Sequence, residues 1–428
     1  MEKDIHPLPR RSEAKMGRRI LVRGTNWLGD AVMTTPALIR LREKFPDAHI
    51  TLLTPEKLAD LWRHHPSIDS VITFVAGEGP LSVASKLHPL NLKHFDELPE
   101  VEPGDTPWRA FVRVANTLSA SASNGRLGFD LALVLPNSPR SALEVWLARI
   151  PHRIGYARPW RNFFLTNAVP ARAKAVKMQK RSVGEIKRLI AANDHSAGIS
   201  PASEEIITGG TPALPLSAHQ MHEYLHLAGV LGASPEPLPP QLVVTPGEIE
   251  AVKKKFGLDE IKRPILGLNP GAEYGPAKRW PVDKFIAAAR EIQHRTNCTW
   301  VTFGGKGDAA IANQIESAIA SPPSAIWNLA GKTGLRELMA LLKICRVLLT
   351  NDSGPMHVAA ALGTPVVVPF GSTSPELTGP GLPGDKRHRL LKSDAPCSPC
   401  FLRECPIDFR CLNGISVERV VEAVLSVV

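Results

Sequence analysis

Apolar residues in this chain recur in two rhythms that alternate along its length. Short β-like runs at 20–22, 49–53, 71–75 and 131–135 read as strands, and 37–45 has the three- and four-residue spacing of a helix before Pro46 and Asp47 stop it. Strand, helix and strand in that order predict a βαβ unit. Further along, the alternation restarts with strand 265–268, helix 282–293, strand 300–303, helices 309–318 and 335–343, strand 347–349, helix 357–362 and strand 366–368. Continuous apolar strands with helices between them belong to parallel sheets covered on both faces. Two doubly wound α/β layers are therefore predicted, with ligand in a cleft at the carboxyl ends of the strands.

Two stretches break the pattern. From 76 to 128, Gly, Pro, Ser and Asn are frequent, which reads as an insertion whose part around Trp108, residues 108–118, is expected to be helical. The other runs from 191 to 240; it opens in Ser, Gly and Pro, holds a helical stretch at 218–231, and ends at Pro235, Pro237, Pro239 and Pro240. The organisation expected is a basic extension at 1–18, a Rossmann-like unit at 19–240 and a second at 241–428 with a Cys-rich end. At 428 residues the chain exceeds what one core usually organises, in keeping with two units.

Composition narrows the class. With 43% hydrophobic and 21% charged residues the chain is globular, and no apolar run reaches the 18 residues of a membrane span. The basic start lacks the apolar segment of a secretory signal, so the cytoplasm is the expected compartment; Met16, just before the first strand, is an alternative start to Met1. The net charge of +10 is concentrated: between Arg140 and Arg188 stand twelve Lys or Arg against two Glu, which equals the whole excess. Trp146, Tyr156, Trp160, Phe163 and Phe164 are interleaved there. That mixture suits an anionic membrane surface, a phosphorylated lipid or a nucleic acid, or a solvated face beside core aromatics.

The candidate chemistry sits at strand ends. Arg23-Gly24-Thr25-Asn26-Trp27-Leu28-Gly29-Asp30 follows the first strand, and Asn351-Asp352-Ser353-Gly354-Pro355-Met356-His357 follows the strand at 347–349. Each is a Gly-containing turn into a helix, whose N-terminal amides can face an anion. Asp30 reads either as a residue favoured by the helix dipole or as a general base facing the cleft. Pro36 fits only a first turn or a kink, so a helix is expected to start between Asp30 and Thr35. The loop from Asn269 to Pro281 brings Lys278 and Arg279 to a strand end, where a lysine suits a diphosphate. Asp352 can accept hydrogen bonds from sugar hydroxyls, and His357 can either donate to phosphate or pack inside its helix. Cys397, Cys400, Cys405 and Cys411 lie within 15 residues and can hold structural zinc or an iron-sulfur cluster, or stay reduced.

At these residues the chain resembles the bacterial lipopolysaccharide heptosyltransferases of glycosyltransferase family 9, in particular their type II members. The similar blocks are VRGTNWLGDAVMTTPAL, VLPNSPRSALEVWLARIPHRIGY, LNPGAEYGPAKRWP, NDSGPMHVAAALGTPVVVPFGSTSP and APCSPCFLRECPIDFRCLNGIS, in the family's order. The extension and the 76–128 stretch depart from it. The resemblance implies a GT-B fold, two Rossmann-like doubly wound domains facing a cleft. It also implies an inverting, metal-independent transfer of L-glycero-D-manno-heptose from ADP-heptose to the lipopolysaccharide inner core, with no cofactor.

In that reading Asp30 is the base, and Lys278, Asp352, Ser353, Gly354 and His357 bind the donor. Thr333 and Leu335 lie on its nucleoside side, and Asn137, Ser138 and Arg140 face the acceptor. The expected partners are ADP-heptose, a phosphorylated lipid A-core acceptor and the inner face of the cytoplasmic membrane, held peripherally, with no nucleic acid. A nucleotide-sugar 2-epimerase, or a GT-B transferase for another acceptor, is the alternative of like architecture.

Overall fold

In a computed structural model, residues 18–87, 128–173, 175–196, 214–319 and 326–428 are described. The expected helix at 108–118 and nearly all of the basic extension lie outside them. The first sheet is built from β1 (Arg19–Arg23), β2 (His49–Pro55), β3 (Ser70–Phe74), β4 (Leu131–Val134), β5 (His152–Tyr156) and β6 (Asn167–Val169). All pairings are parallel and the order is β3-β2-β1-β4-β5-β6. The second sheet is built from β7 (Ile265–Asn269), β8 (Thr299–Thr302), β9 (Ile326–Asn328), β10 (Leu348–Thr350), β11 (Val366–Pro369) and β12 (Arg389–Leu391). Its order, β12-β11-β10-β7-β8-β9, is the first sheet's plan repeated and read from the other edge. In each sheet the order reverses beside the first strand, between β1 and β4 and between β7 and β10. Such a reversal opens a crevice at the strands' carboxyl ends.

The helices follow from the same patterning. In the first half they are α1 (Leu28–Met33), α2 (Thr35–Lys44), α3 (Pro80–Leu87), α4 (Pro139–Leu147), α5 (Val183–Ser196) and α6 (Met221–Gly229). The second half adds α7 (Pro246–Phe256), α8 (Val282–Thr296), α9 (Ala309–Ile319), α10 (Leu335–Ile344), α11 (Gly354–Ala361), α12 (Pro375–Thr378), α13 (Arg410–Asn413) and α14 (Val417–Leu425). The single helix start expected between Asp30 and Thr35 is instead a break: α1 begins at Leu28, Thr34 ends it, and Pro36 falls in the first turn of α2. A proline there has no N–H to leave unpaired, so α2 can begin where α1 stops. The front of the 76–128 stretch is also ordered, as α3, which buries Val83, Ala84 and Leu87.

Apolar packing does not stop between the sheets. One core cluster joins Ile20, Val22, Val32 and Leu38 of the first half to Met339, Met356, Val358 and Leu362 of the second. A separate core of Leu266, Leu268, Phe285, Trp300 and Val421 covers the other face of the second sheet. The α1 and α11 starts are thereby pressed together at the crevice.

Candidate active site

The contact between α1 and α11 is close enough to specify glycine on both sides. A methyl group added at Gly29 would lie 2.7 Å from His357 Cδ2, and one at Gly354 would lie 2.8 Å from Leu28 Cδ2. Contacts that short force a shift in the backbone or the neighbour. Asp30, in the first turn of α1, thus stands at the seam between the halves.

Its carboxylate is half-buried and accepts a hydrogen bond from Gln220 Nε2 at 3.3 Å. Burial pushes its pKa up to about 6, while the Gln220 bond and the cation of Lys278 pull it down and the charge of Asp352 adds to the rise. Near pH 7 the group is ionised yet has appreciable proton affinity, as a general base requires. Gln220 also donates to Tyr224 Oη at 2.8 Å, and its backbone N–H donates to Leu377 O of the second half at 2.9 Å. His219 beside it bonds Gly379 O through Nε2 at 3.0 Å and is held neutral, its pKa near 4, chiefly by burial.

Opposite Asp30, Lys278 Nζ lies 2.6 Å from Asp352 Oδ2 and 4.9 Å from the centre of the Tyr274 ring. Asp352 Oδ2 also accepts from Thr373 Oγ1 at 2.5 Å. The loops carrying these groups are fixed to each other. Asn351 donates to Pro270 O at 2.7 Å and accepts from Trp280 N–H at 2.9 Å, and Asn269 donates to Thr350 and Ser353 hydroxyls at 3.0 and 3.1 Å. Ser353 stands at the N-cap position of α11 without a side-chain capping bond, and Gly354 and Pro355 form the first turn.

The other expected residues divide. Thr333 and Leu335 stand half-buried where β9 leads into α10, on the same strand-end rim, and Gly331 N–H ties that turn to Gly304 O at 2.9 Å. His357 is buried against Gly29 and its pKa is held near 4, first by burial, so at neutral pH its ring is an uncharged imidazole that keeps one N–H to donate. Ser138 caps α4 through Ser141 N–H, and Asn137 Oδ1 accepts from Arg161 at 3.4 Å. Arg140 is paired with Glu144 at 2.9 Å. Glu144 is fully buried and shared with Arg23, whose Nε lies 2.8 Å away.

The basic segment is less free than its charge suggested. Arg161 is buried, Arg172 pairs with Glu223 at 3.2 Å, and Arg181 donates to Pro396 O at 3.1 Å. The cysteines are all free thiols, and Cys397, Cys400, Cys405 and Cys411 line one small cavity with Ile186 and Phe409. Burial raises the pKa of Cys397, Cys400 and Cys411. No group of three or more His, Cys, Asp or Glu among the described residues could hold a metal ion, so the geometry does not supply the zinc or iron-sulfur ligand set that the spacing allowed.

Residues 123–409 match the family described as glycosyltransferase family 9 (heptosyltransferase). The chain belongs to that family. It is 30% identical over 365 residues to lipopolysaccharide heptosyltransferase 2 of Salmonella typhimurium, covering 85% of each chain. Against the protein of the same name from Escherichia coli it is 29% identical over 368 residues, again 85% of each. The solved structure of E. coli ADP-heptose lps heptosyltransferase II superposes with a TM-score of 0.66 at 25% identity, covering 96% of this chain and 98% of that one. A family 9 glycosyltransferase from Veillonella parvula gives the same TM-score at 21% identity, which speaks for the fold. This family 9 chain is accordingly a glycosyltransferase, with the paired Rossmann-like sheets of the GT-B fold.

Gln220, Asn351 and Thr373 are members of the site that the sequence reading did not single out. Their bonds to Asp30, the β7 loop and Asp352 join residues far apart in the chain, and no local spacing signals them. Asn351 and Thr373 were within reach, because both lie in the quoted NDSGPMHVAAALGTPVVVPFGSTSP block.

Proposed function

We propose that this glycosyltransferase moves L-glycero-D-manno-heptose from ADP-heptose to the lipopolysaccharide inner core, adding the second heptose with inversion at the anomeric carbon. The observation that carries this reading is the similarity over 85% of the chain to lipopolysaccharide heptosyltransferase 2, joined to a half-buried carboxylate facing a Lys278–Asp352 pair across the crevice. The donor diphosphate lies against Lys278 and the α11 start, where the Ser353 and Gly354 amides are available and Pro355 has no N–H to give. Asp352 holds the heptose, and Thr333 and Leu335 border the nucleoside. The acceptor enters by the β4 loop with Asn137, Ser138 and Arg140, and His357 serves by packing α11 onto α1.

In the transfer, Asp30 takes the proton of the attacking hydroxyl as its oxygen bonds the anomeric carbon. The bond from that carbon to the diphosphate oxygen breaks on the opposite face. Negative charge grows on departing ADP, where Lys278 and the α11 amides meet it, and this electrostatic work needs no cofactor. The acceptor half comprises 19–240 and the donor half 241–428; all strands of the first sheet fall before 170 and all of the second after 264, which supports that division. No helix among the described residues is long and apolar enough to cross a membrane. We place the enzyme in the cytoplasm, peripheral at the inner membrane face where a phosphorylated lipid A-core acceptor is presented.

The test is a mass-spectrometric product assay pairing ADP-heptose with heptose-free and mono-heptosylated core acceptors. A mass gain of one heptose on the second acceptor alone is the expected result. Gain on the first alone would reassign the step, and donor consumption without acceptor would favour the 2-epimerase reading.

A further inference from the structure

The loop between β5 and β6 is the most conspicuous surface that the chemistry above leaves unused. Trp160 is 90% exposed and Phe163 is 68% exposed. They are held outward by construction. Arg161, between them in sequence, points inward, is fully buried, and donates to Pro136 O at 2.9 Å. Phe163 is braced by Trp146 and Phe164, with ring centres 6.2 and 5.5 Å away. Trp160 takes a left-handed backbone conformation, φ 64°, which costs a side-chain-bearing residue energy. Exposed apolar side chains gathered on one loop mark a surface for a partner or a lipid interface rather than for bulk water.

The chain beyond β6 continues the pattern. Val176, Met178 and Val183 are exposed, with exposed Lys177 and Lys180 among them and Lys187 and Arg188 following on α5. No Asp or Glu occurs between Glu144 and Glu185. Apolar side chains among cations, with Glu185 the one carboxylate and that one paired to Arg181 at 3.6 Å, are complementary to an anionic lipid interface, where aromatic rings sit at headgroup depth and lysines meet the negative leaflet. A second copy of this chain, carrying the same cations, would repel itself across such a face. The loop is also continuous with the proposed acceptor side, since Arg161 fastens it to the β4 loop at Pro136 and Asn137.

We propose that Trp160 and Phe163, with Lys177, Lys180, Lys187 and Arg188, dock this protein on an anionic bilayer surface and so deliver the β4 side of the crevice to a lipid-borne acceptor. The proposal rests on the peripheral-membrane reading given under Proposed function. It replaces the wider basic segment as the contact, because Arg140, Arg161, Arg172 and Arg181 are engaged within the protein.

The full chain is to be cosedimented with vesicles of phosphatidylglycerol and phosphatidylethanolamine, and with phosphatidylcholine vesicles, at low and high salt. Wild type should partition at least about tenfold more strongly to the anionic vesicles, and salt should weaken it. Trp160→Ser with Phe163→Ser should reduce partitioning about tenfold or more at either salt. Lys177→Glu with Lys180→Glu should reduce it mainly at low salt. Both variants should keep wild-type melting and ADP binding, and wild-type turnover on a deacylated, water-soluble core acceptor.

Wild-type partitioning by the aromatic variant, or no preference for anionic vesicles by the wild type, would overturn the proposal. So would a concentration-dependent dimer in sedimentation velocity that the aromatic variant abolishes. Vesicle binding is read without donor or acceptor, whereas failure of heptose transfer to the soluble acceptor by the wild type would count against the catalytic reading alone.

Discussion

Lys278 and Asp352 neutralise one another in the crevice: Nζ and Oδ2 are 2.6 Å apart, with the lysine 14% and the aspartate 4% exposed. A donor diphosphate reaching this lysine must therefore compete with a carboxylate already in place. The lysine is a structural counterion to Asp352 as well as the proposed donor ligand, and the two roles can be pulled apart.

Lys278→Ala leaves Asp352 buried without its cation, which should lower stability by about 3 kcal/mol and also weaken ADP binding and turnover. Adding Asp352→Asn should restore much of the melting temperature while leaving turnover low. Thermal melts and ADP titrations on the single and double variants check this. A double variant with normal ADP affinity and normal turnover would remove Lys278 from the donor site.

Asp30→Asn should keep donor binding and lose at least about 100-fold in turnover, the usual scale of a positioned base. In the wild type, kcat/KM should fall as pH drops below about 6, where the carboxylate takes up its proton.

Stability should move the other way. The folded pKa of about 6 lies above the ordinary 3.8, so the ionised form is disfavoured by folding, with no cost below 3.8 and the full cost above about 6. Asp30→Asn should therefore melt higher than wild type at pH 8, with the gain shrinking as pH falls towards 4. Equal melting at both pH values would show that burial does not tax this carboxylate.

Gly29→Ala should cost about 1–3 kcal/mol, since its methyl would strike the His357 ring at 2.7 Å. Turnover should fall with it because α1 carries Asp30. His357→Ala in the same chain should recover part of both, which melts and initial rates will report; no recovery would place the strain elsewhere than at the α1–α11 contact.

Chelation should leave transfer essentially unchanged, because Lys278 and the α11 amides supply the positive charge that departing ADP needs. Rates before and after EDTA, with melting as a control for folding, test this. Loss of transfer by a still-folded protein would make Asp352 a candidate metal ligand.

What could be read from the chain was what local pattern encodes. The strands β1, β7 and β10 are built on short apolar runs and β2 is mainly apolar, and the Gly-containing turns after β1 and β10 are the ones that meet at the crevice. Strands β5 and β12, HRIGY and RLL, carry arginine or histidine on partly buried positions and gave no such signal. Charge misled for a related reason. Counting Arg140, Arg161 and Arg172 as a surface ignores the partners that folding brings them, Glu144, the Pro136 carbonyl and Glu223. The Gln220–Asp30 bond spans 190 residues and is a product of topology alone.

The path of α5 has a mechanical outcome. After β6 the chain leaves the first sheet, and Arg181 N–H bonds Cys400 O at 3.0 Å while Ile186 seats against Cys397 and Cys400 of the second half. It is back beside the first sheet by α6, and crosses again after the prolines that end at Pro240. Three covalent passages join the two halves where a simple tandem array would have one. A protease nick between β6 and α5 would therefore leave two fragments held together by packing, with α6 of the later fragment seated against α2 and β5 of the earlier one.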